Sequence, residues 1–209
     1  MGVKRIIASV LVVILLISCN ACTEPSPVIG TWVGELDYSQ ILQEEFSKEE
    51  LWNDVQFQNI CLDISFEFRE DGSFTMEILK DSADAMVQSL LDLATDCLLK
   101  NMEQRGESME SLGLTRDVLQ AKMREQIDIS TLTDPLEFAF GSGYYVYRDS
   151  CIYIGSQPGS LRADPEQNAA EILRVTLGDG TILVDGFGSH EIENQGFLPG
   201  LIPFKLVKQ

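Results

Sequence analysis

The sequence predicts a mainly β protein with an α insertion (α+β), folded as an antiparallel β-barrel or strongly curved sheet that carries a helical insertion. Three observations carry this. Short segments with an apolar residue at every second position occur on both sides of the middle of the chain, Asp-Gly turns separate several of them, and from about 81 to 128 the pattern changes to helical spacing. Hydrophobic residues make up 44% and aromatic residues 8% of the 209, enough apolar surface to offset the ordering entropy of a folded domain. That length allows one domain with a sizeable insertion.

The amino end comes first. Lys4 and Arg5 precede an apolar run, Ile6 to Ile17, broken only by Ala8 and Ser9. It is too short to span roughly 30 Å of hydrocarbon and reads as an export signal over residues 1–18. Leu16-Ile17-Ser18-Cys19 resembles the lipobox of bacterial lipoproteins, in which a diacylglyceryl group is attached to the cysteine and the signal is cut just before it. The resemblance implies lipid attachment at Cys19, residues 19–29 as a tether rich in proline and serine, and a place on the cell membrane facing away from the cytoplasm. Cys22 fits less well, because Asn20 and Ala21 stand where the motif wants an apolar residue. Two acyl chains hold a protein stably where one does not.

From Gly30 the strand pattern begins. Trp32, Gly34 and Leu36 share one face, and Ser39 to Val55 then follows helical spacing through Ile41, Leu42, Phe46, Leu51, Trp52 and Val55. Ile60, Leu62, Ile64, Phe66 and Phe68 alternate with polar neighbours, which makes this the clearest strand. Asp71-Gly72 supplies the positive φ of a tight primed turn, after which Ser73 to Leu79 pairs back. In the helical block, Met86, Leu90, Leu93, Ala94, Cys97 and Leu98 form one stripe, and Leu114, Val118, Leu119, Met123 and Ile127 form that of a second helix beginning near Thr115, with Gly106 and Gly113 in the loop between. Asp134-Pro135 ends the block. Strands are then expected over Leu136–Phe140, Gly143–Tyr147, Cys151–Gly155, Glu171–Leu177, Thr181–Phe187 and Pro203–Lys208, with a polar loop from Ser156 to about Ala169.

Gly30-Thr31-Trp32, at the start of the first strand, resembles the glycine-x-tryptophan signature of lipocalins and lipocalin-like bacterial lipoproteins, whose tryptophan plugs one end of an up-and-down barrel. Asp71-Gly72-Ser73-Phe74, Gly143-Tyr144-Tyr145 and Pro203-Phe204-Lys205-Leu206 follow in the order such proteins show. The resemblance implies a lipocalin-like domain over 30–209. The helical block stands where a lipocalin has a short loop, and the last strand offers Lys205 and Lys208 where an arginine would stack on the tryptophan.

Fifteen basic against 33 acidic residues give a net charge of −18, which excludes nucleic acid as a partner. Removal of Lys4 and Arg5 with the signal leaves 13 − 33 = −20, so the domain is expected to stand off anionic headgroups. No Cys-x-x-Cys pair follows the lipobox and no regular acidic ladder of a calcium loop occurs, so neither a metal nor a cofactor is expected. Export permits disulfides. Cys61 with Cys97 would join the helical block to the sheet, and Cys61 with Cys151 would bridge two strands. His190 is the single histidine, and Gly141-Ser142-Gly143 falls short of a nucleophile elbow, so no enzyme is expected. Tyr145 and Tyr147 point one way; with Phe66 they are the candidate lining of a site for a small apolar or amphipathic ligand. The competing expectation is a barrel filled by its own side chains, whose helical insertion meets a protein or glycan. Either way the protein is expected to be a monomer that contacts the membrane through its anchor.

Overall fold

The computed structural model describes residues 25–48, 52, 55–109, 113–125, 133–134, 136, 140–189 and 198–209. The signal, Cys19, Cys22 and His190 lie outside them. Eight strands form a closed antiparallel barrel in chain order: β1 (Gly30–Asp37), β2 (Cys61–Phe68), β3 (Ser73–Ile78), β4 (Ser142–Arg148), β5 (Cys151–Gly155), β6 (Glu171–Gly178), β7 (Thr181–Ser189) and β8 (Phe204–Lys208). The period-two face is the interior: Trp32, Leu36, Leu62, Ile64, Phe66, Phe68, Ile152, Ile154, Leu173, Val175, Ile182, Val184 and Leu206 are all buried.

Closure rests on three pairs between β1 and β8, Trp32 with Lys208, Val33 with Val207 and Gly34 with Leu206. A Cβ at Gly34 would lie 2.6 Å from both the Lys205 carbonyl oxygen and Leu206 Cδ2, so only glycine lets the two strands approach this closely. Trp32, 3% exposed, closes that end of the barrel. Its Nε1 donates to the Val28 carbonyl at 2.7 Å, and the Lys208 ammonium sits 5.2 Å from its ring centroid. Lysine thus takes the stacking place, and the lack of a Cβ at Gly30 leaves room for its stem, 2.9 Å from where that atom would be.

The three turns at this end, β2–β3, β4–β5 and β6–β7, are short. Only Gly72 of the Asp71-Gly72 pair has positive φ, 86°, and Gly72 N–H donates to the Arg69 carbonyl, so this is a type I turn with a glycine bulge rather than a primed turn. The two-residue turn with both positions left-handed is instead Asp149 and Ser150, at φ 52° and 60°. The long connections lie at the other end.

Five expectations change in the connections. Helix α1 covers only Ser39–Phe46, because the Gln43 side chain donates to the Val55 carbonyl at 3.1 Å and accepts from the Phe57 N–H at 3.1 Å, pinning the chain as it turns back. Phe46, Trp52 and Phe57 still meet, with centroids 5.2–5.9 Å apart. Helix α2 (Lys80–Gln104) buries Met86, Val87, Leu91, Thr95, Cys97 and Met102, a wider arc than the expected stripe, because it packs on both β2 and helix α3 (Arg116–Arg124). Arg116 bridges to Asp96 at 2.7 Å across the two helices, and on α3 Val118 is 45% exposed instead of joining a stripe. Leu136 and Phe140 are helical, not extended, and both are buried in the mouth of the barrel, where their long apolar side chains are held by the core. The polar stretch after β5 forms two short helices, α4 (Pro158–Ala163) and α5 (Pro165–Asn168), each started by a proline in its first turn, and Leu161 of α4 covers Tyr153 on the outer wall. No helix among the described residues is long and apolar enough to cross a membrane.

Replacing Gly34 by alanine is expected to cost about 1–3 kcal/mol by overpacking against backbone. Gly159→Ala on α4, where a Cβ meets nothing within 4 Å, is expected to raise stability by about 0.4–1 kcal/mol. Urea unfolding midpoints of the two variants would check both.

Candidate functional site

The interior of the barrel is full. Phe66, 1% exposed, lies 5.7 Å from Phe68 and 6.0 Å from Phe140 by ring centroids, and Phe140 in turn meets Phe187 at 5.9 Å. What remains among these rings, Leu136, Leu173 and Leu201 is an apolar space of about 20 Å³. That is the room of about one water molecule, without polar partners to hold it. Phe66 is therefore committed to packing.

The room lies outside, at the tryptophan end. The ladder between β3 and β4 begins with Ser73 opposite Tyr144, and only one further bond, Tyr145 N–H to the Gly72 carbonyl at 2.7 Å, extends it toward the end of β4. Beyond this point β4 keeps β5 as its neighbour but runs past β3. Arg148 and Cys151 close a two-residue turn and so form a hydrogen-bonded pair, which puts the peptide groups of Tyr147 on the side away from β5. An open groove of about 840 Å³ follows this edge, walled by Pro25, Ser26, Pro27 and Ile29 before β1, by Glu70 and Gly72 of the β2–β3 turn, by Tyr145, Val146 and Tyr147, and by Arg162 of α4.

Several contacts hold these walls in place. Ile29 N–H donates to the Ser26 carbonyl at 3.1 Å, turning the entering chain, while Val28 is buried and tied to Trp32. The Asp71 carboxylate accepts from Ser73 N–H at 2.8 Å and from its hydroxyl at 2.7 Å, which holds the carboxyl below its ordinary range and keeps it ionised. Arg162 donates through Nη2 to the Asp71 carbonyl, and a Cβ at Gly72 would come within 3.0 Å of that nitrogen. Tyr145 is 6% exposed and its hydroxyl donates to the Arg69 carbonyl at 3.0 Å; burial, ahead of the nearby Asp71 charge, pushes its phenol up. It shapes the floor of the groove. Tyr147, half-buried, presents its surface to the groove.

The structure thus brings together two of the three expected site residues, Tyr145 and Tyr147, and leaves Phe66 in the core. Pro25, Pro27, Glu70 and Arg162 carry no motif and meet only through the fold.

Cys61, Cys97 and Cys151 are not joined in disulfides. Cys61 is half-buried on the outer wall, where burial first, then hydrogen bonding to Glu35 and the charges of Glu35, Asp37 and Asp63, push its thiol up to about 11. Among the described residues no group of three His, Cys, Asp or Glu side chains could hold a metal ion. Alkylation of Cys61, followed by peptide mass spectrometry, is expected to be slow at pH 8 and to accelerate about tenfold per pH unit up to about 11. Glu35→Gln should move that profile to lower pH; an unchanged profile would remove the carboxylate from the cause.

The chain matches no protein family, no curated protein and no solved structure.

Proposed function

We propose that the protein is a non-enzymatic, lipid-anchored binding protein of the cell envelope, with a lipocalin-like barrel, and that it takes a small amphipathic ligand in the groove beside β4 rather than in the lumen. One observation carries this reading: the lumen holds about 20 Å³ and the groove about 840 Å³, within the 300–1,000 Å³ or so usual for small-molecule sites. Its walls suit a molecule with an apolar body and a charged or polar end. Pro25, Pro27, Ile29 and Tyr147 supply apolar surface at low entropic cost, while Arg162 and Glu70 offer a charge of either sign. The lipocalin-like reading is supported by Trp32 at the closed end, by the up-and-down strand order and by Lys208 over the indole. The anchor is supported by the lipobox-like segment ending in Cys19.

Anilinonaphthalene sulfonate, an amphipathic anion, is a direct probe. The reading expects saturable binding at one site, weakened about tenfold, or about 1.4 kcal/mol, by Tyr147→Ala and by Arg162→Ala. Val118→Ala on the helical insertion should leave binding unchanged. Weakening by Val118→Ala alone would move the binding surface to the helices and support the protein or glycan reading.

A further inference from the structure

Strand β4 ends in unpaired backbone. Its ladder to β3 stops where Tyr145 N–H donates to the Gly72 carbonyl, and Tyr147, two residues on, turns its N–H and C=O to the same side. Among the described residues neither group has a hydrogen-bond partner, although β4 goes on pairing with β5 as far as Arg148 and Cys151. Ser73 faces Tyr144 and Gly72 faces Tyr145, so in this register the place opposite Tyr147 would fall to Glu70. Glu70 does not take it. The chain is turning there, with Gly72 N–H donating to the Arg69 carbonyl, and the groove runs where a longer β3 would have lain. A cation stands where Gly72 closes that track. Arg162 donates through Nη2 to the Asp71 carbonyl, and among the described residues its other N–H groups have no partner. Of the two anions on the same turn, Asp71 has its carboxylate held by Ser73, and Glu70 is exposed.

We infer that the groove takes the carboxyl end of an extended peptide, laid antiparallel to β4 with its last residue opposite Tyr147. This rests on the reading of the groove as the binding site and names the class of its amphipathic ligand. A peptide antiparallel to β4 travels in the direction of β3, so it meets Gly72 with its carboxyl end. Its last N–H donates to the Tyr147 carbonyl, and its carboxylate accepts from the Tyr147 N–H and faces the Arg162 guanidinium. Laid the other way, it would bring an ammonium group to the same guanidinium, and like charges repel. Paired residues put their side chains on one face, so the last side chain lies beside Tyr147, where an apolar one fits. The backbone bonds hold any sequence. Selection then rests on the free carboxylate and the apolar last residue.

The probe is the acetylated peptide Ala-Ala-Ala-Val with a free carboxylate, followed by displacement of anilinonaphthalene sulfonate and by amide NMR. It should displace the dye and move the Tyr147 amide proton downfield. The same peptide amidated at its carboxyl end should bind about tenfold more weakly, and so should one methylated on the valine nitrogen, since each loses a hydrogen bond. Arg162→Ala should bring the acid and amide forms to equal affinity. Equal affinity of the two forms for the unaltered protein, or a silent Tyr147 amide, while the dye still responds to Tyr147→Ala, would overturn the peptide and leave the groove as the binding site. Dye binding indifferent to Tyr147→Ala would overturn both.

Discussion

The approach of β1 to β8 is the constraint on which the rest of the structure depends. Only three residue pairs join these strands, yet they turn a curved sheet into a barrel with no free edges along the closed wall. The approach is possible because Gly34 lacks a side chain where the backbone of Lys205 presses in, and the junction is sealed by Trp32 beneath Lys208. The last strand thus closes the hydrogen-bond ladder and also covers the core's largest aromatic side chain, so that the start of β1 at Gly30 and the end of β8 at Lys208 meet at one end of the barrel.

A small barrel closed in this way has little interior to spare. Its inward side chains include Phe66, Phe68, Phe74, Tyr145 and Phe187, and the helical segment adds Leu136 and Phe140 at the mouth. Dense packing of this kind resembles a protein core, not a ligand cavity. Strand tilt then produces the space that the lumen lacks: because β4 continues past the start of β3, its last residues border a groove instead of a strand. The groove follows from how this barrel closes, and its walls come from four separate parts of the chain.

The strands were legible because one face of each is dry: the alternation of Ile64, Phe66 and Phe68 with Asp63, Ser65 and Glu67 survives in the structure residue by residue. Where long-range contacts decide, local pattern fell short. Helical spacing continues to Val55, but the amide of Gln43 ends α1 early. Leu136 and Phe140 look like strand residues from their apolarity, and burial in the mouth serves them equally well in a helix. The prolines of α4 and α5 read as loop markers, although proline also starts helices. At the site, Tyr145 and Tyr147 stood out as inward aromatic residues, whereas nothing near Arg162 or Pro25 in the sequence connects them to each other; only the β2–β3 turn, with Gly72 making room for a guanidinium, does that.

The central claim, a packed lumen with the binding room outside it, is tested most directly by methyl NMR of the protein titrated with anilinonaphthalene sulfonate. The account predicts saturable shifts at the Ile29 and Val146 methyls in the groove, with Ile64, Leu173 and Val184 in the lumen unmoved. Shifts concentrated at the three lumen residues, with Ile29 and Val146 silent, would contradict it.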